Sequence, residues 1–328
     1  MYYNRFPLLF GRRGPDVFTL TATTTATPQT VTIDRLRVNE ATLLQWGDGS
    51  SDLLPANSDA AITHAYATPG VYRIRMAHPS RVTQLRLRNS ALSGLDTSQL
   101  RRAVLTDFIV EFLGTTTPNR ISSAHMTEWR PVAWWQLNDM PAGSYTINSA
   151  HMTGWTTLAR FGLHTMPAGS YSINSLHTVP WGTMAIFRLR GMPAGTYAFD
   201  SSHMSSWTPS SVEMQGVAAS GFTLDVSAAD LATWVSTTTM RLDNNGLLQA
   251  QVNEILYGMY QAATARTATG GSINLGGTNE APSGTFQAAA ACPVSAATPG
   301  KEVAHELLSN GCGGINLGRV WTTVTITA

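Results

Sequence analysis

Residues 140–155 read Met-Pro-Ala-Gly-Ser-Tyr-Thr-Ile-Asn-Ser-Ala-His-Met-Thr-Gly-Trp, and closely similar stretches occupy 166–181 and 192–207. Each copy begins 26 residues after the previous one and keeps Met-Pro-Ala-Gly, a small hydroxyl residue, Tyr, and a His four positions before a Trp. Fixed periods of 20–50 residues are typical of stacked units that cannot bury their apolar faces alone. The sequence therefore predicts a repeat solenoid.

Histidine and tryptophan mark four successive units of this repeat. The pairs are His125 and Trp129, His151 and Trp155, His177 and Trp181, and His203 and Trp207. Stacking places equivalent side chains about 4.8 Å apart. Internal packing is the favoured interpretation of such a ladder. The alternatives are contact of exposed indoles with carbohydrate or a partner protein, and metal binding by the imidazoles. No cysteine or carboxylate recurs beside the imidazoles, so no metal or other cofactor is predicted.

Each unit contains two short extended stretches joined at Pro-Ala-Gly, for example Trp134–Leu137 and Tyr145–Asn148. The pattern continues less regularly at Leu85-Arg-Leu-Arg-Asn89 and at Met240-Arg-Leu-Asp-Asn-Asn-Gly246, so the predicted solenoid covers residues 81–246. The Leu-x-Leu-x-Asn cadence resembles irregular leucine-rich repeats, which implies parallel strands along one face of a curved rod. A β-solenoid with two strands per turn is the alternative.

A different pattern fills residues 16–80. Alternation of apolar and polar residues predicts strands at 18–21, 31–38 and 71–76. Between these strands lie Trp-Gly-Asp-Gly, which has the chemistry of a tight turn, and a His-x-Tyr-x-x-Pro-Gly-x-Tyr segment.

These two motifs resemble those of PKD-type domains, which are Ig-like β-sandwiches. The matching residues are Trp46, Asp48, His64, Tyr66, Pro69, Gly70 and Tyr72. An additional aromatic residue that is usual just before Gly-Asp-Gly is missing. The resemblance implies a spacer or interaction module on an exposed protein. Asp48 and His64 could form a metal or acid–base pair, but a turn cap and a hydrogen-bonded strand position are the simpler interpretation.

Residues 247–328 are predicted to form a small α/β cap. Apolar spacing predicts a helix over 247–260, and Thr298 followed by Pro299 predicts the start of a second helix. That helix is expected to end at Asn310-Gly311, and strands are predicted at 272–275 and 320–326. The segment resembles the C-terminal caps on repeat regions of some bacterial and phage surface proteins, and repeat arrays need covered ends.

Composition limits the possible functions. Charged residues make up 12% of the 328 positions, with a net charge of +1, against about 25% in a typical soluble domain. This balance argues against nucleic acid as a partner. Lys301 is the single lysine, a scarcity that fits an assembly interface or Arg-rich codon usage equally well. Cys292 and Cys312 could form one disulfide or remain two buried thiols.

The sequence lacks familiar catalytic motifs, which favours a non-enzymatic role. Residues 1–15, a predicted N-terminal arm, lack a signal-peptide pattern, and no run of about 18 apolar residues predicts a membrane span. P-loop, H-E-x-x-H and G-x-S-x-G motifs are absent from the sequence.

We therefore expect a structural or adhesive protein. Modules of the kinds that this sequence resembles usually work outside cells, yet no export signal is predicted. A phage virion component such as a head decoration, fibre or tail protein fits both observations, because a virion leaves the cell by lysis. The expected partners are capsid or tail proteins and a host-surface glycan, with many copies in an assembly. The alternatives are a secreted bacterial surface adhesin and a polysaccharide-degrading solenoid enzyme.

Overall fold

The computed structural model describes residues 17–130, 132–181, 184–217, 221–266, 270–309, 312 and 321–327. The predicted mainly β character is confirmed, with 37% strand and 18% helix. The predicted arm at 1–15 and the predicted helix end at Asn310-Gly311 lie outside the described residues.

Twenty-two strands, three α-helices and six short 3₁₀-helices make up the described fold. The strands before residue 80 are β1 (Val17–Thr24), β2 (Gln29–Ile33), β3 (Arg35–Val38), β4 (Thr42–Gln45), β5 (Ser51–Leu54), β6 (Ile62–Tyr66) and β7 (Gly70–Ala77). They are followed by β8 (Val82–Leu87), β9 (Leu92–Ser93), β10 (Asp107–Glu111), β11 (Asn119–Ser122), β12 (Trp134–Asn138), β13 (Gly143–Asn148), β14 (Arg160–His164) and β15 (Ser170–Asn174). The remaining strands are β16 (Ile186–Arg190), β17 (Thr196–Asp200), β18 (Ser211–Gln215), β19 (Phe222–Asp225), β20 (Thr239–Arg241), β21 (Ser272–Leu275) and β22 (Thr323–Ile326). The helices are α1 (Ala228–Leu231), α2 (Gln249–Ala265) and α3 (Gly300–Ser309).

The N-terminal strands form an antiparallel sheet in the order β5-β4-β7-β1-β9 and a separate antiparallel pair, β2 and β6. The prediction of a single strand over 31–38 is wrong, because the strand is interrupted at Asp34. The Asp34 carboxylate accepts the N–H of Arg88 at 2.8 Å. As a result β2 pairs with β6, whereas β3 pairs with β8. Strand pairing crosses residue 80 twice, through β3 and β9, and the domain boundary there stays a prediction.

The repeat region forms two sheets whose strands alternate along the chain. The long sheet has the order β22-β21-β20-β18-β16-β14-β12-β10-β8-β3, and the short sheet has the order β11-β13-β15-β17-β19. All neighbours in both sheets are parallel except β3 and β8. In the long sheet Trp135 pairs with Phe161 and Phe161 with Phe187, so residues one repeat apart are neighbours.

Register differs between the two sheets. In the short sheet Ile147, rather than Tyr145, lies beside Tyr171, and Ile173 lies beside Tyr197, so these strands are staggered by two residues relative to the sequence repeat. Because side chains alternate with a period of two, this even offset keeps equivalent residues on the same face. Tyr145 and Tyr171 both remain buried.

The Pro-Ala-Gly corner between the two sheets explains the most regular part of the repeat. Tyr145 donates its hydroxyl hydrogen to the Pro141 carbonyl at 2.8 Å, and the next two tyrosines do the same to their own prolines. Burial raises the pKa of Tyr145 to about 12. A Cβ at Gly169 would lie 2.8 Å from the Tyr145 carbonyl oxygen and 2.9 Å from the Tyr171 ring. Glycine is therefore required here because the backbones approach closely.

The core lies between the two parallel sheets. Aromatic side chains on the inner face of the long sheet stack on their equivalents one strand away, with centroid distances of 6.3, 5.1 and 5.5 Å along the series Phe108, Trp135, Phe161 and Phe187. These rings form a continuous apolar column, because the parallel register places them side by side on neighbouring strands.

The C-terminal region differs in detail from the prediction. The helix expected over 247–260 is α2, which begins at Gln249 and ends at Ala265, and α1 was not predicted. The predicted strands correspond to β21 and to β22, which begins at Thr323; Val320 lies outside the described residues.

Cys292 and Cys312 form a disulfide across α3, which answers the question that the sequence left open. Beside it Glu306, 1% exposed, accepts the N–H groups of Ala289 and Cys312 at 3.1 and 2.7 Å. A buried carboxylate and a covalent bond therefore hold the same loop against α3.

Candidate interaction face

Asp48 and His64, the candidate metal or acid–base pair, lie together, with Asp48 in the turn between β4 and β5 and His64 on β6. Asp48 Oδ2 lies 2.7 Å from His64 Nε2, and the Ser50 hydroxyl donates to Asp48 Oδ1 at 2.6 Å while lying 3.3 Å from the same Nε2. A catalytic triad needs the hydroxyl and the carboxylate on opposite ring nitrogens. Here both meet one nitrogen, so the arrangement fixes a turn. Burial raises the pKa of Asp48, but hydrogen bonds from Ser50 and His64 outweigh it and lower the value to about 2.

The remaining residues of this motif pack around that turn. Trp46 stacks on His64 with a centroid distance of 4.7 Å, and its indole N–H donates to Asp52 at 2.8 Å. Tyr66 donates to the Trp46 carbonyl at 2.9 Å and stacks on Tyr72 at 4.1 Å. The other two motif residues, Pro69 and Gly70, lie where β6 leads into β7.

The four ladder tryptophans are internal. Trp129, Trp155, Trp181 and Trp207 are 0%, 0%, 0% and 1% exposed. The first three donate their indole N–H to the carbonyl oxygens of Leu100, Met126 and Met152, one unit earlier, at 2.9, 3.3 and 3.0 Å. An exposed file of these indoles that could stack on sugar rings is therefore not formed.

Trp207 departs from this pattern. Its indole N–H is buried and has no hydrogen-bond partner among the described residues. The unit before it carries Thr178 where Met126 and Met152 stand in the others, and the Thr178 hydroxyl donates to the Ser175 carbonyl at 2.8 Å. The missing hydrogen bond therefore coincides with the one irregular copy of the repeat.

Each ladder histidine lies against a hydroxyl group of the preceding unit. The pairs are Thr97 with His125, Ser123 with His151, Ser149 with His177, and Ser175 with His203, at 3.0, 2.9, 3.0 and 3.1 Å to Nδ1. The same hydroxyl oxygens accept a backbone N–H from the next unit at 2.8–3.0 Å. Because that N–H occupies the oxygen, the hydroxyl hydrogen is free to bond a neutral imidazole. Burial, with Arg101 nearby, lowers the pKa of His125, in keeping with a neutral ring.

The next unit also has a hydroxyl residue at the position that contacts histidine in the earlier units. Ser201 donates to Asp230, which replaces the imidazole, at 2.7 Å. Among the described residues no group of three or more His, Cys, Asp or Glu side chains is placed to hold a metal ion. The ladder thus holds units together through packing and hydrogen bonds.

The opposite face of the long sheet carries a group of arginines. We call outer face those long-sheet residues whose side chains point away from the tryptophan ladder. On or directly after its parallel strands the outer face carries Arg86, Arg88, Arg160, Arg188, Arg190 and Arg241. The antiparallel strand β3 adds Arg35 and Arg37.

Carboxylates lie beneath these arginines. Glu111 and Glu213 have side chains only 10% and 7% exposed, whereas Arg88 and Arg188 are 40% and 42% exposed. Each carboxylate meets the Nε of its arginine at 2.8 Å. Guanidinium groups bound along the Nε edge keep terminal nitrogens available, so the outer face presents positive charge to its surroundings.

Trp134 lies at the centre of the outer face. The Arg160 guanidinium carbon lies 4.5 Å from the indole centroid and that of Arg86 lies 5.2 Å away, and the indole N–H donates to Gln136 at 3.0 Å. Nearby, burial raises the pKa of Asp107 although Arg86 acts in the opposite direction. An aromatic ring held between two cations and amide groups is suited to contact with a polar partner.

The outer face was not among the sites that the sequence predicted. Its signal was present in Leu85-Arg-Leu-Arg-Asn89 and in the similar Arg-Leu-Arg of β16, where the residues between inward-facing leucines are arginines. Only strand register brings those two stretches into one surface.

Comparisons with protein-family models, with curated proteins and with solved structures find no match to this chain. No helix in the described ranges is both long enough and apolar enough to cross a membrane.

Proposed function

We propose that this chain is a non-enzymatic structural and adhesive protein of a phage virion, a head decoration, fibre or tail protein that presents a rigid interaction face. In this proposal an Ig-like sandwich at 16–80 is followed by a repeat solenoid at 81–246 and a cap at 247–328. Each stacked unit supports the next and gives an extended scaffold, as repeat proteins do.

One observation carries the proposal: the tryptophans, tyrosines and hydroxyl residues of the repeat serve packing, while arginines line one face of the long sheet. The ladder of Trp129, Trp155 and their equivalents is buried, and the tyrosines and hydroxyl residues of the repeat bond neighbouring backbone. Repeats of this kind build an extended surface, and such a surface is suited to binding another macromolecule.

The proposal is tested by locating the protein. Phage particles from a lysate of the producing host are purified by density gradient, and particles and soluble lysate are compared by immunoblotting with an antibody against the purified chain. We expect the protein to enrich with intact particles and to be labelled by immunogold on their surface. Its absence from particles would contradict the proposal.

A secreted bacterial surface adhesin is the second candidate, and the disulfide between Cys292 and Cys312 favours it. Disulfides persist mainly in oxidising environments outside the cytoplasm. Recovery of the protein from the surface of uninfected cells, with none in particles, would select this candidate over the first.

A further inference from the structure

We propose that the outer face of the long sheet binds an acidic polysaccharide, a glycan chain that carries carboxylate or sulfate groups. This inference deepens the proposed adhesive function and rests on it.

Charge distribution is the first reason. The whole chain has a net charge of +1, yet the outer face carries eight arginines. Two of them, Arg35 and Arg37 on β3, form salt bridges with the exposed Asp59. On the parallel strands and just after them, by contrast, the carboxylates of Glu111, Glu213 and Asp243 have side chains only 10%, 7% and 12% exposed and lie in salt bridges. Along the parallel strands the exposed charge is therefore mainly guanidinium, which complements an anion.

Spacing along the sheet is the second reason. Strand register places Arg86, Arg188 and Arg241 in one row that runs across the strands. At about 4.8 Å per strand, Arg188 and Arg241 lie roughly 10 Å apart and Arg86 and Arg188 roughly 19 Å apart. A polymer with recurring negative groups can meet several of these cations at once, whereas a small anion can meet only one.

Preorganisation is the third reason. Glu213 holds Arg188 through Nε at 2.8 Å and approaches Arg190 at 3.6 Å, while Glu111 holds Arg88 at 2.8 Å. Anchored guanidinium groups lose less freedom when they bind a carboxylate or sulfate.

The side chains between the cations favour a glycan over an acidic protein or a nucleic acid. Large exposed apolar residues, which anchor protein interfaces, are absent from the described strands of this sheet; Phe112 directly follows β10 and Val104 lies three residues before β10. Trp134 is the one indole or phenyl ring on the described outer face, whereas single-stranded nucleic acids stack on a series of rings. The amides of Gln136 and Asn138 lie between the charges. Each donates one N–H to Glu111 at 2.9 Å and has a second N–H that suits a sugar hydroxyl group.

The test is a titration of the full chain with three polysaccharides: polygalacturonate, dextran sulfate and neutral dextran. We expect binding to the two acidic polymers, no binding to neutral dextran, and an affinity that falls as salt rises from about 50 mM to about 500 mM, because salt screens exposed charges.

Two matched variants assign the binding to the outer face. Arg160→Gln removes an exposed cation that stacks on Trp134 and forms no salt bridge among the described residues, so it leaves no unpaired buried charge. Arg120→Gln makes the same change on β11 of the short sheet, where the side chain is 72% exposed. We expect the dissociation constant to rise about two- to fivefold for Arg160→Gln and to stay unchanged for Arg120→Gln.

Three results would overturn the inference: no binding to either acidic polysaccharide, an equal loss of affinity in both variants, or tighter binding of poly-glutamate or oligo-dT at matched charge. None of them would bear on the proposed virion location, because immunoblotting of particles reads where the protein is and not what it binds.

Discussion

The two faces of the long sheet are made by alternate residues of the same strands, yet they differ in how they use the repeat. On the inner face, aromatic residues such as Phe161 and Phe187 stack on their equivalents one unit away. On the outer face, Arg188 pairs with Glu213 in the next strand, and no such pair recurs in every unit. The repeat period therefore describes the packing of this chain, whereas the residues proposed to bind a partner lie where the period is broken.

The largest effect is expected from removing an inner tryptophan. Trp155→Ala deletes a fully buried indole and should lower the free energy of unfolding by about 3–5 kcal/mol, measured by chemical denaturation. The matched variant Trp134→Ala removes an indole from the outer face, where it is only partly buried, and should cost about 1 kcal/mol. Equal losses would break the distinction between the two faces.

A smaller effect is expected from uncovering a buried carboxylate of the outer face. Arg188→Gln removes the 2.8 Å salt bridge of Glu213 and leaves the more distant Arg190 and the Ser211 hydroxyl as its described partners, so it should destabilise the fold by about 2 kcal/mol. In Arg160→Gln the loss should stay within about 0.5 kcal/mol. Adding Glu213→Gln to Arg188→Gln should recover stability, and failure to do so would show that the carboxylate is not the cause.

The hydroxyl–histidine contacts can be tested in the same way. Ser175→Ala removes the acceptor of the Asp200 N–H and the partner of His203, and should cost about 1 kcal/mol in thermal or chemical unfolding. Ser144→Ala removes an exposed hydroxyl from β13 and should change stability little. If the two variants unfold alike, the hydroxyl ladder does not hold the units together.

The smallest effect is expected at the antiparallel sheet, as a dependence on pH. The pKa of Asp48 is about 2 in the folded chain, below its ordinary value of 3.8, so its ionised form favours folding. The advantage of the natural chain over Asp48→Asn should be complete above about pH 4 and should shrink as pH falls toward 2. Unfolding midpoints across this range measure it, and a constant difference would contradict the assignment.

The sequence predicted the repeat well because identical packing demands identical residues. Buried Trp155 and Trp181 stand 26 residues apart, and parallel pairing at the same spacing follows in the long sheet. The sequence carried a signal of the break at Asp34, because Asp34 and Arg35 are two polar residues in succession and the apolar positions shift from Val31 and Ile33 to Leu36 and Val38. The prediction of one strand over 31–38 overlooked this signal. The pairing of β3 with another sheet depends on tertiary contacts and could not be predicted.

The outer face was harder to predict than the ladder. Arg88 and Glu111 are 23 residues apart and Arg188 and Glu213 are 25 apart, so no fixed spacing marks their pairing. Their contact depends on the strand register. It also depends on side-chain burial, which leaves the carboxylates almost covered and the arginines exposed.

Thiol footprinting in the presence of an acidic polysaccharide would show whether the outer face is the surface that binds it. Thr239→Cys places a thiol on the outer face of β20, and Ser172→Cys places one on the short sheet at a similarly half-buried position. If the outer face is the binding surface, saturating polygalacturonate should slow maleimide labelling of Cys at 239 severalfold and leave labelling at 172 unchanged. Equal protection at both positions, or protection at neither, would contradict binding at the outer face.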